Sequence, residues 1–248
     1  MKKKCTAILL AAGAGRRMES NVAKQYMLLG DKPVIWYGLQ AFACSPIIED
    51  VILVVGTGEI TYAEREIVKK YGFSKVRRII EGGAERYLSV QNALRLLRED
   101  AAFADNRDGY VFIQDGARPL LTEKIIEDTF KAVQVHDACC AAVPVKDTIK
   151  LADGEGFAVQ TLKRSSLYAV QTPQVFSAPL ILEAYELLKK QEKELAENGA
   201  FPTDDAMVVE QLLNRKVKLV EASYENLKIT TPEDLELAER IIQKRNLQ

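Results

Sequence analysis

Short apolar segments alternate with longer amphipathic segments from the start of the chain to about residue 143. Apolar runs rich in β-branched residues predict strands, and apolar residues that recur every three or four positions predict helices. The predicted strands are residues 6–11, 51–55, 76–81, 110–114 and 138–143. The predicted helices are residues 34–43, 60–71, 85–98 and 123–135. This alternation favours an α/β fold with a Rossmann-like, mostly parallel sheet flanked by helices.

The alternation stops after Pro144. The segment "VKDTIKLADGEGFAVQTLKR" contains two alternating stretches around Asp-Gly and Glu-Gly, which is typical of a β-hairpin. We therefore predict a hairpin arm at about residues 145–168 that protrudes from the α/β body. An isolated hairpin is only marginally stable in water, so the arm is expected to pack on another surface. The simplest such surface is the arm of a second copy in a homodimer.

Beyond the arm, the sequence predicts helices at 179–194 and 204–213, and strands at 217–222 and 226–229. The stretch "TTPEDLELAERIIQKR" predicts a closing helix, with Thr231 as its cap and Pro232 in its first position. We expect a single domain spanning residues 1–248 and carrying the arm.

The charge balance limits the classes of function. The chain has 248 residues, of which 34 are Lys or Arg and 35 are Asp or Glu, so its net charge is −1. This balance argues against a nucleic-acid-binding or membrane-surface protein, and no segment approaches the ~20 apolar residues of a membrane span. Four cysteines without a C-x-x-C pair, together with one histidine, give no nitrogen and sulfur ligand set for a metal.

The compartment is predicted from the cysteines and from the first residues. Unpaired thiols in apolar runs favour a reduced, cytoplasmic protein. The opening "MKKKCTAILLAAGA" has the outline of a signal peptide, but its apolar run is short, and cleavage there would remove the glycine-rich loop that follows.

The stretch "ILLAAGAGRRMESNVAKQY" leads from the first predicted strand into that loop. Gly13 and Gly15 begin a dinucleotide fingerprint, but Met18 stands where its third glycine belongs, and no G-x-x-x-x-G-K-[ST] motif is present. Glycines let backbone amides approach phosphate oxygens closely. The same stretch carries three cations: Arg16, Arg17 and Lys24. A turn with solvated basic residues is the alternative. The combination favours a triphosphate whose phosphorus is attacked, because phosphoryl transfer depends on positioning and charge stabilisation.

Six further motifs follow in chain order: "EGGAERYLSV", "QDGARP", "VPVKDTIK", "LYAVQTPQVF", "TDDA" and "NLKITTPEDL". With "LAAGAGRRM" and "KQY", they make the chain resemble the 2-C-methyl-D-erythritol 4-phosphate cytidylyltransferase family over nearly its whole length. The resemblance implies transfer of CMP from CTP to the polyol phosphate, with release of pyrophosphate, in the non-mevalonate pathway of isoprenoid biosynthesis. It also implies Mg²⁺ bound with CTP, and a homodimer formed through the arm.

In the implied reaction, the phosphate of the polyol attacks the α-phosphorus of CTP. A phosphate monoester has its second pKa near ~6, so the nucleophile is already ionised at neutral pH and needs no general base. His136, the single histidine, is accordingly interpreted as structural. The resemblance implies that Arg17 and Lys24 stabilise the five-coordinate phosphorus. Two interpretations of Arg16 stay open: a similar role, or a contact with solvent or an acidic neighbour.

The resemblance also implies which residues bind CTP. They are Ala11, Ala12, Gly13, Ala14, Gly15, Lys24, Gly83, Ala84, Ser89, Asp115 and Gly116. A backbone carbonyl in the segment 82–84 and the Ser89 hydroxyl suit the amino and carbonyl groups of cytosine. Some relatives carry an acidic residue where this chain has Ala84, so selectivity for the base is expected to depend more on the backbone here. An ordinary junction between loop and helix is the alternative.

Asp115 ends a buried strand, where α/β sheets present their ligand sites. The implied polyol-phosphate residues are Asp115, Arg118, Thr148, Arg164, Thr172, Thr203, Asp204 and Lys228. Of these, Thr148 and Arg164 lie on the arm and would serve the neighbouring subunit. Contact between Asp115 and the metal is left open, since Mg²⁺ is commonly held by nucleotide phosphates. Thr203 has a second interpretation as a helix cap, and Lys228 as a strand lysine facing water.

Three other functions are considered. A ribitol 5-phosphate cytidylyltransferase would share the loop and the chemistry, and assays with both polyol phosphates would distinguish the two. A non-catalytic nucleotide-binding relative would release no pyrophosphate. An NAD-dependent oxidoreductase is disfavoured, because the third glycine of the fingerprint and the ribose-binding acid are missing.

Overall fold

The computed structural model describes residues 3–13 and 23–246, and its strands confirm the predicted α/β class. In chain order the strands are β1 (Cys5–Ala11), β2 (Leu28–Leu29), β3 (Lys32–Pro33), β4 (Asp50–Val55), β5 (Val76–Glu81), β6 (Tyr110–Asp115), β7 (Ala138–Pro144), β8 (Lys150–Ala152), β9 (Ala158–Thr161), β10 (Tyr168–Ser177) and β11 (Lys218–Glu221). The main sheet has the order β11-β7-β10-β6-β1-β4-β5. All of its neighbouring strands pair in parallel except β10, which runs antiparallel to β6 and β7.

Helices cover both faces of this sheet. They are α1 (Val34–Cys44), α2 (Ile60–Tyr62, continued by a π-helical segment, Ala63–Lys69), α3 (Arg86–Glu99), α4 (Glu123–His136), α5 (Ala178–Glu197), α6 (Asp205–Leu213) and α7 (Pro232–Asn246). One core lies between the sheet and α1, α2 and α4, and a second lies between the sheet and α3, α5 and α6. Strands covered on both faces need apolar residues at successive positions, which explains the near-continuous apolar runs of β1, β4, β6 and β7.

Strand β5 differs because it forms an edge of the sheet. Arg77 and Arg78 are exposed there, and they pair with Asp50 and Asp100 respectively. An edge strand tolerates charged side chains because one side of it faces solvent, and such charges discourage pairing with another chain.

The predicted hairpin is formed by β8 and β9, which pair antiparallel and are exposed at every position. Its chain returns through a short 3-10 helix, Arg164–Ser166, into β10. Within the described part of the chain, no helix combines the length and the apolar character needed to cross a membrane. Three cysteines, Cys5, Cys139 and Cys140, are buried as expected, whereas Cys44 is exposed.

Two local predictions are wrong. Residues 226–229 form no strand, because the amide of Ile229 donates to the carbonyl of Ala117 (2.8 Å) in the loop after β6 and so anchors the segment to a loop. Thr203 is not the cap of α6. That cap is Asp204, whose side chain accepts a hydrogen bond from the amide of Met207 (2.8 Å).

Candidate active site

Strands β1 and β6 are neighbours at the centre of the sheet, and a cavity of about 340 Å³ opens over their carboxyl ends. The predicted residues that line it are Ala11, Ala12, Gly13, Lys24, Gly83, Ala84, Ser89, Asp115 and Lys228. Gly116 lies just behind the cavity, where its amide donates to the carbonyl of Leu10 (2.8 Å). A Cβ at Gly116 would approach that carbonyl oxygen to 2.8 Å, so only glycine fits there without a shift. Ala14, Gly15, Arg16 and Arg17 lie outside the described residues.

One wall of the cavity is the turn before α3. The amide of Gly83 donates to the hydroxyl of Ser89 (3.1 Å), and that hydroxyl donates to the carbonyl of Glu85 (3.3 Å). A Cβ at Gly82 would stand 2.4 Å from the Cβ of Ala12 on the facing strand end. The two sides of the wall are therefore in close contact, and a flat ligand can lie against backbone rather than side chains.

Asp115 ends β6 on the floor of the cavity, and three cations surround its carboxylate. Lys228 Nζ lies 2.8 Å from Oδ2, Arg86 Nε lies 3.4 Å from Oδ1, and Arg118 Nε lies 3.8 Å from Oδ2. The side chain of Asp115 is 11% exposed. A nearly buried carboxylate is stable when charged only if it is paired, and these contacts supply the pairing.

The three cations decide the ionisation of Asp115. Burial alone would raise the pKa of its carboxyl group, but the charges of Arg86, Lys228 and Arg118 outweigh burial and lower the pKa to about 2. The same surroundings lower the pKa of Arg118, through burial and the charge of Arg86, against the opposing charge of Asp115. Asp115 is consequently a fixed anion at neutral pH and is unsuited to act as a proton donor.

Lys24 reaches the cavity from the other side. It begins a short 3-10 helix, Lys24–Tyr26, and its Nζ donates to the carbonyl of Ile229 (3.2 Å). Lys228 precedes that carbonyl in the chain. The irregular segment 226–229 therefore carries Lys228 and also accepts a hydrogen bond from Lys24, so two cations line the same cavity. Such an arrangement suits a highly anionic ligand.

Arg118 and Thr172 lie behind this floor. The hydroxyl of Thr172 accepts a hydrogen bond from the amide of Asp115 (3.1 Å), and Nη1 of Arg118 donates to the carbonyl of Asn226 (2.7 Å). The amide group of Asn226 in turn donates to Gln171 Oε1 (3.0 Å) and to the carbonyl of Thr172 (2.9 Å). This network ties Asp115 and the segment that carries Lys228 to the same part of β10.

Comparison with known proteins agrees with this geometry. Residues 5–244 match the family model described as IspD, 2-C-methyl-D-erythritol 4-phosphate cytidylyltransferase. The protein of that name from Lachnoclostridium phytofermentans is 46% identical over 242 residues, which are 98% of this chain and 97% of the relative. The one from Lachnospira eligens is 48% identical over 233 residues, 94% of this chain and 96% of the relative. The chain belongs to the 2-C-methyl-D-erythritol 4-phosphate cytidylyltransferase family.

Solved structures of this cytidylyltransferase family share the fold. The crystal structure of 4-diphosphocytidyl-2C-methyl-D-erythritol synthase from Anaerococcus prevotii superposes with a TM-score of 0.79 at 31% identity. The superposition covers 97% of this chain and 96% of that chain. A 2-C-methyl-D-erythritol 4-phosphate cytidylyltransferase from Thermus thermophilus gives a TM-score of 0.72 at 28% identity.

The remaining cytidylyltransferase residues predicted from the sequence lie outside the main cavity. Thr203 and Asp204 line a second cavity of about 470 Å³, which shares Glu85 and Arg86 with the first. There the carboxylate of Asp204 accepts a hydrogen bond from Gln174 Nε2 (2.9 Å), in addition to the one from the amide of Met207 by which it caps α6. Thr148 and Arg164 are exposed on the arm, where Arg164 Nη1 donates to the carbonyl of Lys146 (2.9 Å). In the single chain, neither arm residue lines the cavity.

The side chains of the site fit a metal ion that takes most of its ligands from the bound substrate. No group of three His, Cys, Asp or Glu side chains assembles among residues 3–13 and 23–246. Asp115 offers a carboxylate in the cavity, yet its oxygens already face three cations. A divalent cation with this family's nucleotide would therefore take most of its oxygen ligands from phosphate and water.

Two residues that line the cavity, Arg86 and Gln25, are not among the site residues predicted from the sequence. Arg86 carries a signal that could have been used, because it is the first residue of α3. A cation at a helix amino terminus opposes the helix dipole, so its presence indicates a specific partner. Gln25 is buried within "KQY", next to Lys24, and no such signal marks it.

Proposed function

We propose that this protein transfers CMP from CTP to 2-C-methyl-D-erythritol 4-phosphate in the non-mevalonate pathway of isoprenoid biosynthesis. The products are 4-diphosphocytidyl-2-C-methyl-D-erythritol and pyrophosphate. The observation that carries the proposal is the family match over residues 5–244, with the cationic cavity at the ends of β1 and β6 inside that span. The family match favours this substrate over ribitol 5-phosphate.

The chemistry follows from charge. A phosphate oxygen of the polyol forms a bond to the α-phosphorus of CTP, and the bond from that phosphorus to the pyrophosphate oxygen breaks. Because the nucleophile is already anionic, the protein must bring two anions together and stabilise the extra charge. We assign this task to Lys24 and Arg17. The proposed chemistry needs no general base, and His136 ends α4 just before β7 begins, at the amino ends of the parallel strands, whereas the cavity lies at their carboxyl ends.

CTP is proposed to bind along the wall formed by the end of β1 and the turn before α3. Amides of the glycine-rich loop would bind the phosphates, and the backbone at Gly83 and Ala84 with Ser89 would read cytosine. The support is positional, because these groups line one cavity. The Ser89 hydroxyl accepts from the Gly83 amide and donates to the carbonyl of Glu85 (3.3 Å), so it would contact cytosine by turning its proton from that carbonyl to an acceptor on the base.

The polyol phosphate is proposed to bind beside Asp115 and Lys228, with Arg118, Thr172, Thr203 and Asp204 supporting the site. Thr148 and Arg164 would reach it from the arm of a second copy. The arm offers an apolar surface for such a dimer, since Phe157 is 67% exposed and Val159 is 64% exposed. Large apolar side chains grouped at a surface mark an interaction site.

Mg²⁺ is proposed to accompany CTP. When bound, it would neutralise phosphate charge, with oxygen ligands from the triphosphate and water and Asp115 as the available protein carboxylate. The protein is proposed to be a single cytoplasmic domain. Buried thiols at Cys5, Cys139 and Cys140 suit a reducing compartment, because they need no disulfide to be stable.

Pyrophosphate release tests the activity. We expect turnover with CTP, Mg²⁺ and 2-C-methyl-D-erythritol 4-phosphate, and much slower turnover when ribitol 5-phosphate replaces the polyol or UTP replaces CTP. Faster turnover of ribitol 5-phosphate would assign the protein to the alternative substrate. No pyrophosphate from either polyol, with CTP still binding, would leave a non-catalytic nucleotide-binding protein.

Sedimentation tests the dimer. Phe157→Asp places a charge on the exposed face of the arm and is expected to shift the protein from dimer to monomer, while Leu237→Asp on α7, also exposed, should leave it dimeric. A wild-type protein that sediments as a monomer at micromolar concentration would contradict the shared site.

A further inference from the structure

Arg86 joins two carboxylates that are far apart in the sequence. Its Nη1 and Nη2 contact the two oxygens of Asp205 at 3.0 and 2.6 Å, and its Nε faces Asp115 at 3.4 Å. The head group therefore lies between the floor of the cavity and the helix α6. It also lines both the main cavity and the second cavity.

Asp205 holds this head group firmly. Its side chain is fully buried, and it also accepts a hydrogen bond from the hydroxyl of Tyr185 (2.6 Å). A two-pronged arginine–carboxylate contact fixes both the position and the plane of the guanidinium group. A buried carboxylate in such a pair leaves Arg86 no freedom to follow a moving partner, so Arg86 imposes its orientation on Asp115.

The orientation of Asp115 matters for Lys228. The two oxygens of Asp115 have different partners, Oδ1 facing Arg86 and Oδ2 facing Lys228. Rotation of the carboxylate would move Oδ2 away from the ammonium group. The contact of Arg86 with Oδ1 therefore favours the orientation in which Oδ2 faces Lys228.

We propose that Arg86, anchored by Asp205, is a positioning residue that fixes the carboxylate of Asp115 and through it the ammonium group of Lys228 for the polyol phosphate. Its kinetic consequence rests on the function proposed above. The competing explanation is that Arg86 and Asp205 form an ion pair that only stabilises the fold. The two explanations predict different activities when the charges of Arg86 and Asp205 are removed together.

Single and double variants separate these explanations. Arg86→Met leaves Asp205 buried without its partner, so the unfolding temperature and the activity should both fall. In Arg86→Met with Asp205→Asn the uncompensated charge is gone, and we expect the unfolding temperature to recover. The double substitution removes one positive and one negative charge, so the net charge of the site does not change. We therefore expect the Kd for CTP to stay within about threefold of wild type.

The double variant should still be defective with the polyol phosphate. We expect its kcat/KM for 2-C-methyl-D-erythritol 4-phosphate to fall by about tenfold or more, the size of losing one hydrogen bond between charged groups. Wild-type kcat/KM in a stable double variant would overturn the proposal. Arg98→Met, which breaks the exposed pair of Arg98 with Glu186 between α3 and α5, is the matched control and should leave all parameters unchanged.

Two further measurements keep the test decisive. If the double variant does not fold, the single variant Asp205→Asn replaces it in the test. Its side-chain oxygen can still accept the hydrogen bond from Tyr185, but the charge that anchors Arg86 is gone. The same loss of kcat/KM should therefore appear in this variant. If wild type shows no turnover of the polyol phosphate, the proposed function fails, and a crystal structure of the double variant decides the positioning role. Separation of Lys228 Nζ from Asp115 would support the role, and an unchanged 2.8 Å contact would refute it.

Discussion

Replacing Asp115 by Asn tests how the cavity floor is stabilised. The pKa of this carboxyl group falls from 3.8 to about 2, because the charges of Arg86, Lys228 and Arg118 outweigh the effect of burial. A lowered pKa in the folded state means that the ionised form stabilises the fold. A difference of that size corresponds to stabilisation on the order of 2 kcal/mol at pH 7. Asp115→Asn removes this contribution and leaves three cations facing one another.

The sign of the pH dependence follows from the same difference. The stabilisation is fully present above the unfolded pKa and is lost as the pH falls through the folded pKa, with roughly half of it gone by about pH 3. Urea unfolding of wild type and Asp115→Asn at pH 7 and at acid pH is the appropriate measurement. The gap between the two proteins should be on the order of 2 kcal/mol at pH 7 and should narrow in acid.

An exposed carboxylate provides the matched control. Asp105 pairs with Lys4 at 3.3 Å, but its side chain is 79% exposed, so Asp105→Asn should change stability by about 1 kcal/mol or less. The reasoning is refuted if Asp115→Asn is as stable as wild type at pH 7, or if the gap does not narrow as the pH is lowered.

Three further outcomes are expected. Lys24→Ala and Arg17→Ala should each lower kcat by about 10²–10³-fold with little change in CTP affinity, and a rise in the KM for CTP alone would show that they only bind it. Gly82→Ala should weaken CTP in a calorimetric titration, because its Cβ would meet Ala12 at 2.4 Å, whereas Gly154→Ala on the arm, with nothing within 4 Å, should not. Arg164→Ala should raise the KM for the polyol phosphate and leave CTP binding intact, and an unchanged KM would contradict the shared site.

The fold was predictable wherever the local pattern and the global packing agree. The buried strands β1, β4, β6 and β7 are apolar runs, and the structure places them at the predicted positions within about one residue. The prediction failed at residues 226–229, where Leu227 and Ile229 imitate the alternation of a strand. Side-chain alternation shows that a segment is extended and half-buried, but the partner of its backbone is decided by tertiary structure.

The candidate site, like the fold, could be predicted from the sequence only in part. Motifs that are continuous in the chain, such as the loop at Gly13 and the turn at Gly83, could be recognised from their residues alone. The contact of Arg86 with Asp205 could not be predicted, because 119 positions separate the two residues and neither motif indicates that the other lies beside it. The support of Asp115 by Thr172 depends likewise on β10 running beside β6, which only the assembled sheet determines.

Strand β10 connects the arm to the floor of the cavity, and the register of its pairing with β7 shifts between Val170 and Gln174. Its first residues, Tyr168 to Val170, are exposed beside the arm, and from Gln171 onward it is buried. Thr172, whose hydroxyl accepts from the amide of Asp115, lies within this shift and only two residues after Val170. If the protein assembles through the arm as proposed, the partner would bind within a few residues of the support of Asp115, and we expect an inhibitor that displaces the arm to lower turnover without entering the cavity.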